Sequence, residues 1–259
     1  MNKGTEQPSV VPRPPEGALL KALGGATSEM NEQWIETAYT ISTWVLPAIL
    51  AITLHEAAHG FVAWRCGDST AWQLGRVTLN PLKHIDPFGT ILLPGLLLLL
   101  RVPFVFGYAK PVPVNFHALN NPRRDMVLVA AAGPGINIAM AIVAGLLAHL
   151  AVLLPPAAME WSILNLENAI AINVILAVFN MIPLPPLDGG RVAVGLLPNF
   201  LAVPLSRLEP FGMTILLGLL FVLPMIGQQI GQNLDVVNWL LRRPVSEVID
   251  FVFRITGNG

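Results

Sequence analysis

The chain of 259 residues is poor in cysteine, in charge and in basic clusters, and each shortage excludes a class of protein. Its single cysteine, Cys66, can neither form an intramolecular disulfide nor build a thiolate metal site alone. Only 12% of the residues are charged, against roughly 25% in soluble domains, which excludes an ordinary soluble fold. No basic cluster with interleaved aromatic residues occurs, so nucleic acid is excluded as a partner.

Long apolar stretches take the place of the missing charge, since 54% of the residues are hydrophobic. A helix that crosses the hydrocarbon core needs about 20 apolar residues, so this length suits about four to six membrane-embedded helices. We therefore predict an all-α polytopic protein of the inner or plasma membrane, with the lipid bilayer as its surroundings. The clearest expected spans are residues 34–65, 126–154, 161 or 163 to 182, and 211–226.

Two flanking segments differ in composition from this apolar core. Residues 1–33 are polar, rich in Pro, Gly and Glu, and lack the basic-then-apolar order of a signal peptide, so we expect a mostly disordered tail. Residues 231–259 contain Arg242-Arg243-Pro244 and have mixed polarity, which is typical of an interfacial or membrane-associated segment. The membrane-embedded core is thus expected over residues 34–230.

The most informative motif, His55-Glu56-Ala57-Ala58-His59, lies inside the first apolar stretch. Imidazoles four residues apart share one face of a helix and can hold one Zn²⁺, while the intervening Glu can act as a general base. Ionisable groups at membrane depth are costly and are functional by default. The alternative is a helix whose two histidines are spaced in this way by chance.

Residues 88–109 can be interpreted in two ways, and the choice decides which sites can meet. A full span would put the histidine motif and Asp188 on opposite faces of the membrane, whereas a re-entrant loop brings them to the same depth. We expect a re-entrant, β-like loop after the metal-motif helix, covered by protein or a water-filled cavity. Between the first two clear spans, this places Arg65, Arg76, Lys83, Arg101, Lys110, Arg123 and Arg124 on one side. By the positive-inside rule that side is cytoplasmic, and the active site lies toward it.

Asp188 is the candidate for a third metal ligand. It follows three prolines, Pro183, Pro185 and Pro186, which prevent a regular helix, and precedes two glycines, which allow a sharp turn and a close approach of the chain. A carboxylate on such an irregular segment can reach the first span. The alternative is that Asp188 only caps the helix that begins near Arg191.

The motif at 55–59, taken with residues 180–189, resembles the site-2 protease family of intramembrane zinc metalloproteases. Two further stretches are similar to bacterial members: Leu-Gly-Arg-Val-Thr-Leu-Asn-Pro-Leu-Lys-His-Ile-Asp-Pro at 74–87 and Ala-Gly-Pro-Gly-Ile-Asn at 132–137. The resemblance covers roughly residues 41–221. The chain departs from larger members in having no inserted PDZ-like domain and too little C-terminal sequence for a CBS pair, so it resembles a minimal form.

This resemblance implies a role for each motif residue. His55, His59 and Asp188 would bind Zn²⁺, Glu56 would be the catalytic base, and Asn180 would be a polar group beside the metal. Asn180 could instead be a helix-end residue that bonds only to backbone. Asn137, outside that set, could bond to the Asp188 loop, line the water path to the active site, or pack between membrane helices.

The function we predict is zinc-dependent endopeptidase cleavage of a transmembrane or membrane-proximal protein substrate. Two alternatives belong to other classes. Broken apolar segments with buried polar groups also occur in transporters, and a metal-binding membrane scaffold needs no catalysis. A transporter, however, has no need of a Glu between the two ligands.

Overall fold

The computed structural model describes residues 16–100 and 107–259, and it divides the chain into two compact units, residues 1–42 and 43–259. In the first unit, residues 16–42 are helical. The predicted disordered tail extends to residue 33, whereas the helix begins at Glu16, where Ala, Leu, Lys and Glu favour helix. Residues 1–15 of that tail lie outside the described residues.

The described part of the chain is helical and contains no strand, which confirms the all-α prediction. The α-helices, in chain order, are α1 Glu16–Arg65, α2 Thr70–Gln73, α3 Leu93–Leu99, α4 Pro122–Ala151, α5 Pro156–Asn180, α6 Asp188–Leu196, α7 Asn199–Ser206, α8 Gly212–Leu217, α9 Leu223–Gln229 and α10 Val236–Thr256. Short π-helical turns precede α3 and join α8 to α9.

Four helical stretches of the described chain are long and apolar enough to cross a membrane. They are Trp34–Arg65, Pro122–Ala151, Pro156–Asn180 and Asn199–Gln229. Each overlaps one predicted span, although the last three begin several residues earlier than expected. The multi-pass prediction is therefore confirmed, at the low end of the expected number of helices.

Small side chains let the central helices pack closely. Ala141 and Ala144 of α4 and Ile170 and Val174 of α5 form one buried cluster, which Val252 of α10 completes. Small residues at such interfaces allow membrane helices to approach each other. α10 therefore packs against α4 and α5, while its position relative to the bilayer stays a prediction.

The segment after the metal-motif helix turns back on itself, as the re-entrant interpretation requires. The backbone N–H of Tyr108 donates to the carbonyl of Gly89 at 3.0 Å, and Lys110 N–H donates to the His84 carbonyl at 2.9 Å. The two ends of the loop are therefore neighbours. Residues 101–106, which belong to the same segment, lie outside the described residues.

The returning arm of this loop, residues 107–115, forms no strand, although we expected it to be β-like. The N–H groups of Tyr108 and Lys110 donate to the two backbone carbonyls named above, and the N–H of Val112 donates to the Glu56 carboxylate. Pro111 and Pro113 have no N–H to donate. The arm is thus fixed by separate contacts and not by a ladder with one neighbouring strand.

Asp68 fastens this arm to the end of α1. Its side chain is fully buried, and its Oδ1 accepts hydrogen bonds from the N–H and the hydroxyl of Thr70 at 2.9 and 2.5 Å. Its Oδ2 accepts the N–H of Asn115 at 2.7 Å. Burial raises the pKa of the Asp68 carboxyl, but these hydrogen bonds outweigh that effect and hold the pKa below its ordinary value.

We expect Asp68→Asn to lower the unfolding free energy by about 1–3 kcal/mol at neutral pH, because an amide cannot accept all three bonds. The lowered pKa stabilises the fold above the unfolded-state pKa of about 3.9, and this contribution is lost as the pH falls through the folded-state pKa. The difference between wild type and variant should therefore shrink in acid. Thermal unfolding in detergent between pH 7 and pH 3 measures it.

Glu160→Gln is the control, since Glu160 is exposed and its loss of charge should leave the unfolding temperature unchanged at each pH. A deficit for Asp68→Asn that is the same at pH 3 and pH 7 would contradict the role assigned to the ionised carboxylate.

Candidate metal centre

The two histidines of the motif lie together on the buried face of α1. His55 and His59 are 7% and 8% exposed, and their Nε2 atoms are 3.1 Å apart. This is the result of the four-residue spacing, which places both side chains one helical turn apart on one face. The predicted pairing of the imidazoles is therefore present in the structure.

Asp188 reaches this pair from the other end of the chain. Its Oδ2 lies 3.1 Å from Nε2 of His55 and 3.3 Å from Nε2 of His59. Leu187 occupies the N-cap position of α6 and Asp188 is the first residue of this helix, whereas the alternative had Asp188 capping a helix that begins near Arg191. His55, His59 and Asp188 form a group that could hold one metal ion.

Two glycines allow the carboxylate to reach this position. A Cβ atom on Gly189 would collide with the backbone of Met181, and one on Gly190 would collide with the backbone of Leu184 and Pro185. The first turn of α6 therefore packs directly on the proline-rich loop before it. The close approach that the glycines predicted is confirmed.

The three facing atoms fit a tetrahedral cation. A metal with ligand bonds of about 2.0–2.1 Å requires its ligand atoms to be about 3.3 Å apart, and the observed separations are 3.1, 3.1 and 3.3 Å. Oδ2 of Asp188 is buried and, among the described residues, has no hydrogen-bond partner when both imidazoles turn the lone pairs of Nε2 toward it. Two nitrogens and one carboxylate oxygen are also a donor set that suits zinc.

Contacts on the far side of each imidazole fix which nitrogen faces the group. Nδ1 of His59 donates to the carbonyl of Val129 at 2.7 Å, and Nδ1 of His55 donates to Oδ1 of Asn137 at 2.5 Å. Each Nε2 is then left with a lone pair that points at the other acceptors. A Cβ atom on Gly133 would lie 2.5–2.6 Å from both rings, so only glycine admits the pair against α4.

Glu56 lies beside the group but is not part of it. It is half-buried, and its Oε2 accepts the backbone N–H of Val112 at 2.8 Å. This bond orients the carboxylate and uses only Oε2, so Oε1 takes no part in it. The returning arm thus contacts the residue that we predict to be the base.

The two predicted asparagines have different surroundings. Asn137, for which we had left packing, the Asp188 loop and the water path open, is fully buried and bonds directly to His55. Asn180 is the last residue of α5 and donates to the carbonyl of Leu176 at 3.0 Å, as a helix-end residue does. Its place beside the metal stays a prediction.

Sequence reasoning missed several contributors. Gly133 and the carbonyl of Val129 carry no chemical signal of their own. Asn173 did carry a chemical signal: its side chain is not part of the metal group, but its Oδ1 accepts from Nδ2 of Asn137 at 2.7 Å. It is a polar residue inside an apolar span, a position that is functional by default.

Comparison with known proteins places the chain. The model of peptidase family M50 matches residues 149–223, which contain Asp188. YwhC of Bacillus subtilis is 39% identical over 188 residues, which cover 70% of this chain and 80% of YwhC. Rip2 of Mycobacterium tuberculosis is 29% identical over 246 residues, or 93% of this chain and 90% of Rip2.

Both relatives carry names that assign them to the zinc metalloproteases. No solved structure matches the chain. The site geometry suits zinc, and the family uses it, so the metal of this protein is Zn²⁺. The chain belongs to peptidase family M50, the site-2 protease family of zinc metalloproteases.

Proposed function

We propose that this protein is an intramembrane zinc endopeptidase that hydrolyses peptide bonds in transmembrane or membrane-proximal segments of protein substrates. The observation that carries the proposal is the convergence of His55 and His59, inside a helix apolar enough to span a membrane, with Asp188. These three side chains would hold the zinc. A hydrolytic centre built into such a helix lies where only membrane-associated chains can reach it.

The residues of the chain divide the chemistry between them. Bound zinc supplies a Lewis acid that lowers the pKa of water toward about 7. Glu56, oriented by the N–H of Val112, accepts the proton of the attacking water with its other oxygen and returns it to the leaving amine. Asn180 retains one amide hydrogen after bonding to Leu176, and this hydrogen can stabilise the developing oxyanion.

The substrate must present an extended segment, because the amides of a helix are closed off by internal hydrogen bonds. The arm at residues 107–115 lies against Glu56 and has no regular secondary structure along its exposed part. We propose that the scissile segment binds alongside this arm. Pro111 and Pro113 offer no N–H for pairing, so the arm would pair through its carbonyl groups, of which those of Lys110 and Pro111 also accept from Arg76.

We also propose that the site opens toward the cytoplasm. Residues 65–124 contain seven basic residues, whereas the loop at 155–161 has none. Lys and Arg collect on the cytoplasmic side of short membrane loops. The basic loop adjoins the end of α1 that carries His55, Glu56 and His59.

We expect Glu56→Gln to lower cleavage of a labelled single-span substrate in vesicles by at least about 10²-fold, because the amide cannot accept the proton. Zinc content should stay at the wild-type value, since Glu56 is outside the ligand group. Glu36→Gln, on the same helix and exposed, is the matched control.

Equal cleavage by Glu56→Gln and wild type would refute the role of Glu56 as the base. Cleavage of a water-soluble substrate as fast as that of the single-span substrate would refute intramembrane specificity.

Gly133→Ala tests the ligand group without touching a ligand. The new methyl would lie within 2.6 Å of both imidazoles, so we expect zinc affinity to fall by more than about tenfold, as measured by competition with a chelator. Gly135→Ala, two residues along the same helix, adds a methyl with no atom within 4 Å. Its affinity should match wild type. Equal affinity for all three proteins would show that zinc is bound elsewhere.

Cys66 tests the orientation, because it is the only cysteine and directly follows the first span. A membrane-impermeant maleimide should label it from the cytoplasmic side only. Burial raises the pKa of the Cys66 thiol, so labelling should speed up as the pH rises toward 9. Cys66→Ala gives the background. Labelling of sealed cells or outward-facing vesicles from the external side would overturn the proposed orientation.

A further inference from the structure

A chain of three buried side chains links α5 to the metal centre. Nδ2 of Asn173 donates to the carbonyl of Ala169 at 2.8 Å, and Oδ1 of Asn173 accepts from Nδ2 of Asn137 at 2.7 Å. Oδ1 of Asn137 then accepts from Nδ1 of His55 at 2.5 Å. Asn137 and Asn173 are both 0% exposed, so no bulk water competes for these bonds.

The direction of this chain is fixed at its far end. A backbone carbonyl can only accept, so the bond to Ala169 dictates that the amide nitrogen of Asn173 points that way and its oxygen points to Asn137. Asn137 must then turn its nitrogen to Asn173, and a second backbone carbonyl, that of Ala51 at 3.3 Å, favours the same orientation. The oxygen of Asn137 is left facing the ring of His55.

The consequence at His55 is a single tautomer. Because Asn137 presents an acceptor, the proton of the neutral ring sits on Nδ1, and Nε2 keeps the lone pair that a metal needs. The opposite tautomer would place a proton on Nε2, where it would donate to Asp188 at 3.1 Å and occupy the ligand position. The two asparagines thus select the metal-binding form of the ring.

We propose that Asn173 is a positioning residue for the zinc site, which acts through Asn137 to hold His55 in its metal-binding tautomer. The inference rests on the proposed ligand role of His55. It assigns to α5 a function in metal binding, in addition to packing on α4. The described hydrogen bonds of the Asn173 side chain go to Asn137 and Ala169 and not to the metal group or Glu56, so its effect would be exerted through the hydrogen-bond chain.

The competing explanation is that Asn173 only joins membrane helices, as polar residues between helices commonly do. The chain offers a matched control on the same helix. Asn165 lies two turns earlier, is 8% exposed, and makes the same bond to its own helix, from Nδ2 to the carbonyl of Trp161 at 2.9 Å. Its Oδ1 has no hydrogen-bond partner among the described residues, so Asn165 shares the intrahelical bond of Asn173 and lacks the link to α4.

The experiment compares purified Asn173→Leu, Asn165→Leu and Asn173→Asp with wild type, in detergent. The readouts are Zn²⁺ affinity by chelator competition, unfolding temperature, and the visible spectrum of the Co²⁺-substituted protein. We expect Asn173→Leu to lose 10- to 100-fold in Zn²⁺ affinity and to change the Co²⁺ spectrum. Asn165→Leu should keep both, whatever its unfolding temperature.

Asn173→Asp is the conservative variant that should restore Zn²⁺ affinity. It also keeps the proposal testable if Asn173→Leu does not fold. A carboxyl group in either protonation state still offers an oxygen to Asn137, so its Zn²⁺ affinity should stay within a few-fold of wild type. Equal affinities for Asn173→Leu and Asn165→Leu would overturn the proposal. So would a loss in Asn173→Asp as large as the loss in Asn173→Leu.

His55→Ala separates this proposal from the one on which it rests. If His55→Ala binds Zn²⁺ as wild type does, the proposed ligand set is wrong and the role of Asn173 is lost with it. If His55→Ala loses Zn²⁺ while Asn173→Leu does not, the ligand set stands and only the inference about Asn173 is wrong.

Discussion

Three lone pairs that face one another inside an apolar bundle are the constraint on which this structure depends. The nitrogens of His55 and His59 and the carboxylate of Asp188 repel one another unless a cation lies between them, and the low dielectric of the interior strengthens that repulsion. Such an arrangement is stable only with its metal or with protons in its place. The rest of the bundle holds the three side chains at separations that suit one metal ion.

Holding them requires irregular backbone at membrane depth, which is tolerated only where protein or a water-filled cavity covers it. Two irregular segments position groups at the metal-motif helix: the proline-rich loop directly precedes Asp188, and the returning arm carries Val112, which bonds to Glu56. Each is fastened by local contacts, through glycine packing in the first case and through Asp68 in the second. Under the proposed function, the same irregularity would give water and substrate access to Glu56.

Features of this site that depend on nearby residues could be predicted from the sequence, whereas contacts between distant helices could not. The imidazole pair was predictable because it depends on helix periodicity alone, and Asp188 was predictable because prolines and glycines mark an irregular, close-packed turn. The hydrogen bond that His55 donates to Asn137 depends on the rotation of one helix against another, which no local pattern records. The loop after the metal-motif helix was expected to be β-like, but the N–H groups of its returning arm donate to separate acceptors and form no ladder.

Two of the contacts that orient the site are made by main-chain groups: the carbonyl of Val129 at His59 and the N–H of Val112 at Glu56. A main-chain contact survives almost any exchange of the side chain that carries it, with proline at 112 as the exception. Both valines are buried, so natural variation that keeps the volume of the side chain would leave these contacts in place. An alignment of related sequences would therefore not show that the main-chain groups of Val129 and Val112 orient His59 and Glu56.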